Sequence, residues 1–185
     1  PIFRKGSQRG FTLVELLVSV SIFVFMTAFL VFKYGTFNHG VIVTNTAYDI
    51  ALTIRNAQSY GLNVKASKDT NPATVFSHGF GAHFQKSAAI NSEFYFFSDL
   101  DNDGLLTPAT EKITTSTLKK GIIIDNILVS CGGPEASYNS LDVVFIRPDP
   151  DAIIHVNGSA TPKCQTAKVI IKAPDGAMKT IVVRS

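Results

Sequence analysis

Residues 10–33 read GFTLVELLVSVSIFVFMTAFLVFK, and the rest of the chain is best understood outward from that stretch. Glu15 is its only charge before Lys33, and nothing from Leu16 to Phe32 is ionisable. A membrane-crossing helix needs about 17 apolar residues or more, so this run is long enough to span. Its apolar residues go all round the helix instead of forming a stripe, which argues against a core helix. Ahead of it, PIFRKGSQRG carries Arg4, Lys5 and Arg9 and no acid. That bias keeps the N-terminal end cytoplasmic and predicts that the remainder is exported. Lys33 and Tyr34 suit the far interface. A cleaved secretory signal needs a small-residue site after the apolar run, and FLVFKYG at 29–35 lacks one. An uncleaved signal anchor competes, but Glu15 argues against a passive one. A charge inside a membrane segment costs about 2.5–3.5 kcal/mol or more and marks function.

Gly10-Phe11-Thr12-Leu13-Val14-Glu15, with a short basic leader before it and an apolar helix after it, resembles the processing site of bacterial type IV prepilins and type II secretion pseudopilins. The resemblance implies that a prepilin peptidase/N-methyltransferase cuts between Gly10 and Phe11 and methylates the new amino terminus. It also implies membrane lipid before assembly, then other pilin or pseudopilin subunits and an inner-membrane assembly platform as partners. Glu15 lies four residues beyond Phe11, so the two share a helix face. After cleavage, the amine of Phe11 can meet the Glu15 carboxylate of a neighbouring subunit, relieving two poorly solvated charges and fixing register.

Beyond the apolar run, Ala47, Ile50, Ala51, Ile54, Ala57 and Gln58 follow the spacing of an amphipathic helix. Gly61 serves as a stop signal. Gly35 and Gly40 between the two halves are weak helix formers, compatible with a bend or a loop. The sequence therefore divides into a leader at 1–10, a membrane or filament-core helix at 11–33, its amphipathic continuation at 34–61 and a head at 62–185. The head reads as short strands: Val75–Phe76, Gly81–Phe84, Glu93–Phe97, Ile122–Ser130, Leu141–Arg147, Ala152–Val156, Ala167–Ala173 and Lys179–Arg184. The last two flank Pro174-Asp175-Gly176 and form a hairpin. The fold class is α+β, a long N-terminal helix packed on a β-rich C-terminal head. GFGAHF at 79–84 and VVFIRPDP at 143–150 resemble minor pseudopilins of the H-type group.

The sharpest motif in the head is Ser98-Asp99-Leu100-Asp101-Asn102-Asp103-Gly104, with Glu111 after it. Carboxylates at alternate positions before a glycine open an EF-hand-type calcium loop. Asp99, Asp101 and Asp103, the Leu105 carbonyl and Glu111 are the candidate ligands of a structural calcium ion. The twelfth position is Thr110, Glu111 comes one residue late, and Pro108 intervenes, so closure is non-standard. An acidic turn between strands is the plainer alternative. Cys131 and Cys164 both fall in the exported portion, where a disulfide can form. It would contribute about 3.7 kcal/mol on a chain-entropy argument, with two separate buried thiols as the alternative.

Catalytic signatures are weak. His39, His78, His83 and His155 are scattered, with no H-E-x-x-H pattern or nucleophile elbow. Gly79-Phe80-Gly81 lacks the rest of a phosphate-binding fingerprint. Seventeen Lys and Arg against 14 Asp and Glu leave a net charge of only +3, spread along the chain, so no nucleic-acid footprint is expected. The expectation is a non-enzymatic minor pilin or pseudopilin. Such a subunit is held in the inner membrane with its head exported, then taken into a periplasmic or cell-surface filament. A membrane-anchored, calcium-dependent binding module is the alternative.

Overall fold

A computed structural model describes residues 10–63, 65–67, 76–87, 90–159 and 164–185, with backbone alone at 33–37. The leader cations Arg4, Lys5 and Arg9, the side chains of Lys33 and Tyr34, and Val75 lie outside the described residues. Two compact units divide the chain, Pro1–Asn38 and His39–Ser185.

Helix α1 spans Leu13–Leu62, with Gly35 and Gly40 inside it and not in a loop. Its start is set by Thr12, whose Oγ1 accepts the Glu15 N–H at 3.2 Å. This is an N-cap with Glu15 at the third helical position, a pattern worth about 1 kcal/mol. In the first unit every residue from Phe11 to Phe32 is exposed. The span Leu13–Phe32 has a mean hydropathy of 2.4 and none of it is buried. Its hydroxyls are satisfied within the helix. Ser19 donates to the Glu15 carbonyl, Ser21 to that of Leu17 and Thr27 to that of Phe23, at 2.7–2.8 Å.

In the second unit the helix turns amphipathic, burying Val43, Ile50, Ile54 and Ala57. These enter one core with the inner faces of two antiparallel sheets. The first sheet contains β1 (Gly79–Gln85), β2 (Glu93–Asp99), β3 (Lys112–Thr117), β6 (Ser140–Phe145) and β7 (Ile153–Val156), in the order β3-β2-β1-β6-β7. The second contains β4 (Ile123–Ser130), β5 (Ala136–Ser137), β8 (Thr166–Lys172) and β9 (Met178–Arg184), in the order β5-β4-β8-β9. The inner faces follow from period-two alternation. Phe80, Ala82 and Phe84 point inward from β1, Leu141, Val143 and Phe145 from β6, and Ala167, Val169 and Ile171 from β8. Strands β8 and β9 form the expected hairpin, closed by Gly176 at a φ of 91°.

Phe76 lies in a turn and not in a strand, and Ile146 and Arg147 fall beyond the end of β6. Strand β3, KITTST, is an addition to the expected set. Gly61 is more than a stop signal, since a Cβ there would lie 2.3 Å from the Phe145 carbonyl oxygen. The last turn of the helix therefore rests directly on β6. Beside it the Tyr60 ring meets Phe80 and Phe96 edge-on, each at 5.6 Å.

Candidate functional site

Two regions carry chemistry, and each is built locally. In the first, Gly10, Phe11 and Thr12 precede the helix, and Phe11 is 74% exposed. The Gly10–Phe11 peptide bond thus lies in accessible, non-helical backbone, the form a peptidase requires. Glu15 lies in the first helical turn, where the helix dipole favours an anion.

The second region is the loop between β2 and β3, and it is organised by its own carboxylates. Asp99 Oδ2 accepts the Gly104 N–H at 3.0 Å, Asp101 Oδ1 that of Asp103 at 3.3 Å, and Asp103 Oδ1 that of Leu105 at 2.7 Å. Asn102 and Gly104 adopt φ values of 60° and 77°, the left-handed region that Asn and Gly tolerate best. One carboxylate oxygen from each of Asp99, Asp101 and Asp103 lies within 4.8 Å of the other two.

Glu111 is placed differently. Its side chain is buried, with Oε1 accepting the Leu100 N–H at 2.7 Å and the Asp101 N–H at 3.4 Å. Oε2 accepts the Thr107 N–H at 2.7 Å. Both oxygens are engaged by amides, and Glu111 stands outside the group of converging carboxylates. Glu111 thus braces the loop from within.

Sequence reading missed what the loop rests on. The outer face of the first sheet carries a polar row in which Tyr95, His83, Asp142 and His155 are direct cross-strand neighbours on β2, β1, β6 and β7. His83 Nδ1 and Asp142 Oδ1 are 2.6 Å apart, and the Tyr95 ring stacks on His83 at 5.9 Å. At the end of the row, a Cβ on Gly104 would lie 2.4 Å from His155 Nε2. The loop therefore reaches across the sheet from the end of β2 to β7. The only signal available in sequence was the polar residue at an alternate strand position, His83 and His155 among them.

Burial sets the electrostatics. Asp99 is raised to about 6, first by burial and then, after partial relief from the Gly104 amide, by Glu111, Asp103 and Asp101. Glu111 is raised by burial, with its backbone hydrogen bonds opposing. Burial lowers His155, while Asp142 and Asp103 pull it upward. Cys131 and Cys164 form a disulfide, linking the end of β4 to the segment entering β8.

A helix whose first segment, Leu13–Phe32, is apolar and wholly exposed, and which begins just after an accessible glycine–phenylalanine bond in a chain with a β-rich head, has the layout of a pilin-like subunit. Residues 5–31 match the family model of the prokaryotic N-terminal methylation motif, and the chain thus carries the type IV pilin/pseudopilin signature. No curated protein and no solved structure matches the chain. The signature points to a structural subunit rather than an enzyme. It implies processing by a prepilin peptidase and assembly with other pilins, and the apolar helix is consistent with a membrane anchor.

Proposed function

We propose that the chain is a minor pilin or pseudopilin, of the kind the H-type group exemplifies. It is stored in the inner membrane with its leader cytoplasmic and its head exported, then drawn into a filament through its N-terminal helix. The observation that carries this reading is the methylation motif at 5–31 joined to an exposed apolar helix at Leu13–Phe32. Cleavage after Gly10 creates an amine on Phe11, and methylation leaves it positively charged. Glu15 of one subunit pairs with that amine on the next, so a charge unfavourable in lipid becomes a register device between helices. Extraction is driven by helix packing, because lipid and neighbouring apolar helices solvate Leu, Val and Phe about equally.

The test is intact-mass and N-terminal analysis of the protein from membranes that contain an active prepilin peptidase. The expected product begins at N-methylated Phe11. Glu15→Ala is expected to leave cleavage intact and to lower recovery in sheared filaments by tenfold or more. An intact leader beside an active peptidase would replace this reading with the uncleaved anchor.

A further inference from the structure

We propose that Asp99, Asp101 and Asp103, with the Leu105 carbonyl, bind a calcium ion that fastens the loop to the head, and that Glu111 shapes this site without ligating it. The proposal is independent of how the N-terminus is processed. Three carboxylates whose oxygens lie within 4.8 Å of one another repel unless a cation sits among them. The hydrogen bonds take one oxygen from each, namely Asp99 Oδ2, Asp101 Oδ1 and Asp103 Oδ1, and leave the other free for a ligand.

A second observation comes from Asp99 itself. Its side chain is fully buried, yet Oδ1 has no hydrogen-bond partner. A buried carboxylate oxygen away from water needs a donor or a positive charge. The charges that act on Asp99 are themselves carboxylates, those of Glu111, Asp103 and Asp101. A cation held at Asp101 and Asp103 supplies what Asp99 lacks.

The donor set selects the ion. All four donors are oxygens, the two cysteines are joined in a disulfide, and His155, though beside Gly104, is not among the converging ligand atoms, so the set lacks the sulfur and nitrogen ligands typical of zinc. Magnesium demands near-ideal octahedral geometry at short distance, whereas calcium accepts an irregular loop of carboxylates, carbonyl and water. Glu111 holds the amides of Leu100, Asp101 and Thr107, which fixes both ends of the loop but withholds the bidentate closing ligand. Water completes the shell, and affinity falls in the range of about 10⁻⁴–10⁻³ M typical of extracellular modules.

The experiment uses the full chain in detergent, stripped of divalent ions, with calorimetric titration and thermal unfolding in calcium chloride. Saturable binding is expected, with Tm rising about 4 °C at a tenfold excess of calcium over Kd. Asp103→Asn keeps an oxygen for the Leu105 amide and is exposed, so it is expected to fold and to bind at least tenfold more weakly. Glu111→Gln is expected to lower Tm without calcium while retaining a calcium-induced rise, which a ligand substitution would not. Absence of saturable heat at millimolar calcium would overturn the proposal, as would equal Tm shifts for wild type and Asp103→Asn. An equal response to magnesium would overturn the choice of ion, and loss of the calcium response in a folded Glu111→Gln would restore Glu111 as a ligand.

Discussion

The helix segment Leu13–Phe32 and the β-rich head are both rich in Val, Ile, Leu and Phe, but they treat those residues in opposite ways. In the head, Phe80, Phe84, Val143 and Ile171 are buried against partners from the same chain. In the segment, every apolar side chain is exposed, including Phe25 at 76% and Phe32 at 83%. Burying one such side chain is worth about 1.5–3 kcal/mol. The head gains this on folding. The segment gains it only from lipid or other helices, so its sequence is a statement about its surroundings.

Matched truncations test that contrast most directly. Phe84→Ala empties a fully buried position on β1 and is expected to destabilise the head by about 3–5 kcal/mol in urea unfolding. Leu17→Ala, at 58% exposure, is expected to leave the same transition unmoved while lowering membrane retention or filament recovery. A shift of the head's midpoint by Leu17→Ala would break the distinction. A smaller effect is expected at Gly61, where the helix touches β6. Gly61→Ala forces a methyl group against the Phe145 carbonyl and should cost about 1–3 kcal/mol by the same measurement, despite alanine's better helix propensity. Smallest is Thr12→Ala, which removes the cap on the Glu15 amide. It should cost about 1 kcal/mol of local helix stability, visible as faster amide exchange in the first turn and not in the head.

Legibility in the sequence followed the strength of the local pattern. The apolar run, the amphipathic stripe at Ile50, Ile54 and Ala57 and the hairpin around Pro174-Asp175-Gly176 could be read because each uses one dominant period or turn. Strand β3 could not, because Lys112 to Thr117 has a single aliphatic residue and lies at a sheet edge where little alternation is needed. The cap at Thr12 has the Thr-x-x-Glu pattern, but Glu15 is also the one charge in an apolar run, and the pattern does not separate a capping role from an assembly role. In the acidic loop, Asp99, Asp101 and Asp103 stood out by their spacing. That both oxygens of Glu111 accept backbone amides could not be read, because spacing says nothing of which amides a buried carboxylate will find. The contact of Gly104 with His155 joins positions 51 residues apart, which only the register of β1, β6 and β7 brings together.

The hydroxyls of Ser19, Ser21 and Thr27 have one further implication. Each is tied to a carbonyl four residues earlier, so the helix offers its neighbours almost no donor in search of an acceptor. A change of neighbour, from acyl chains to another helix and back, then requires no hydrogen bond of this segment to break. Were the chain to pass between a bilayer and a helical assembly, this segment would make the exchange in either direction with its own hydrogen bonds intact.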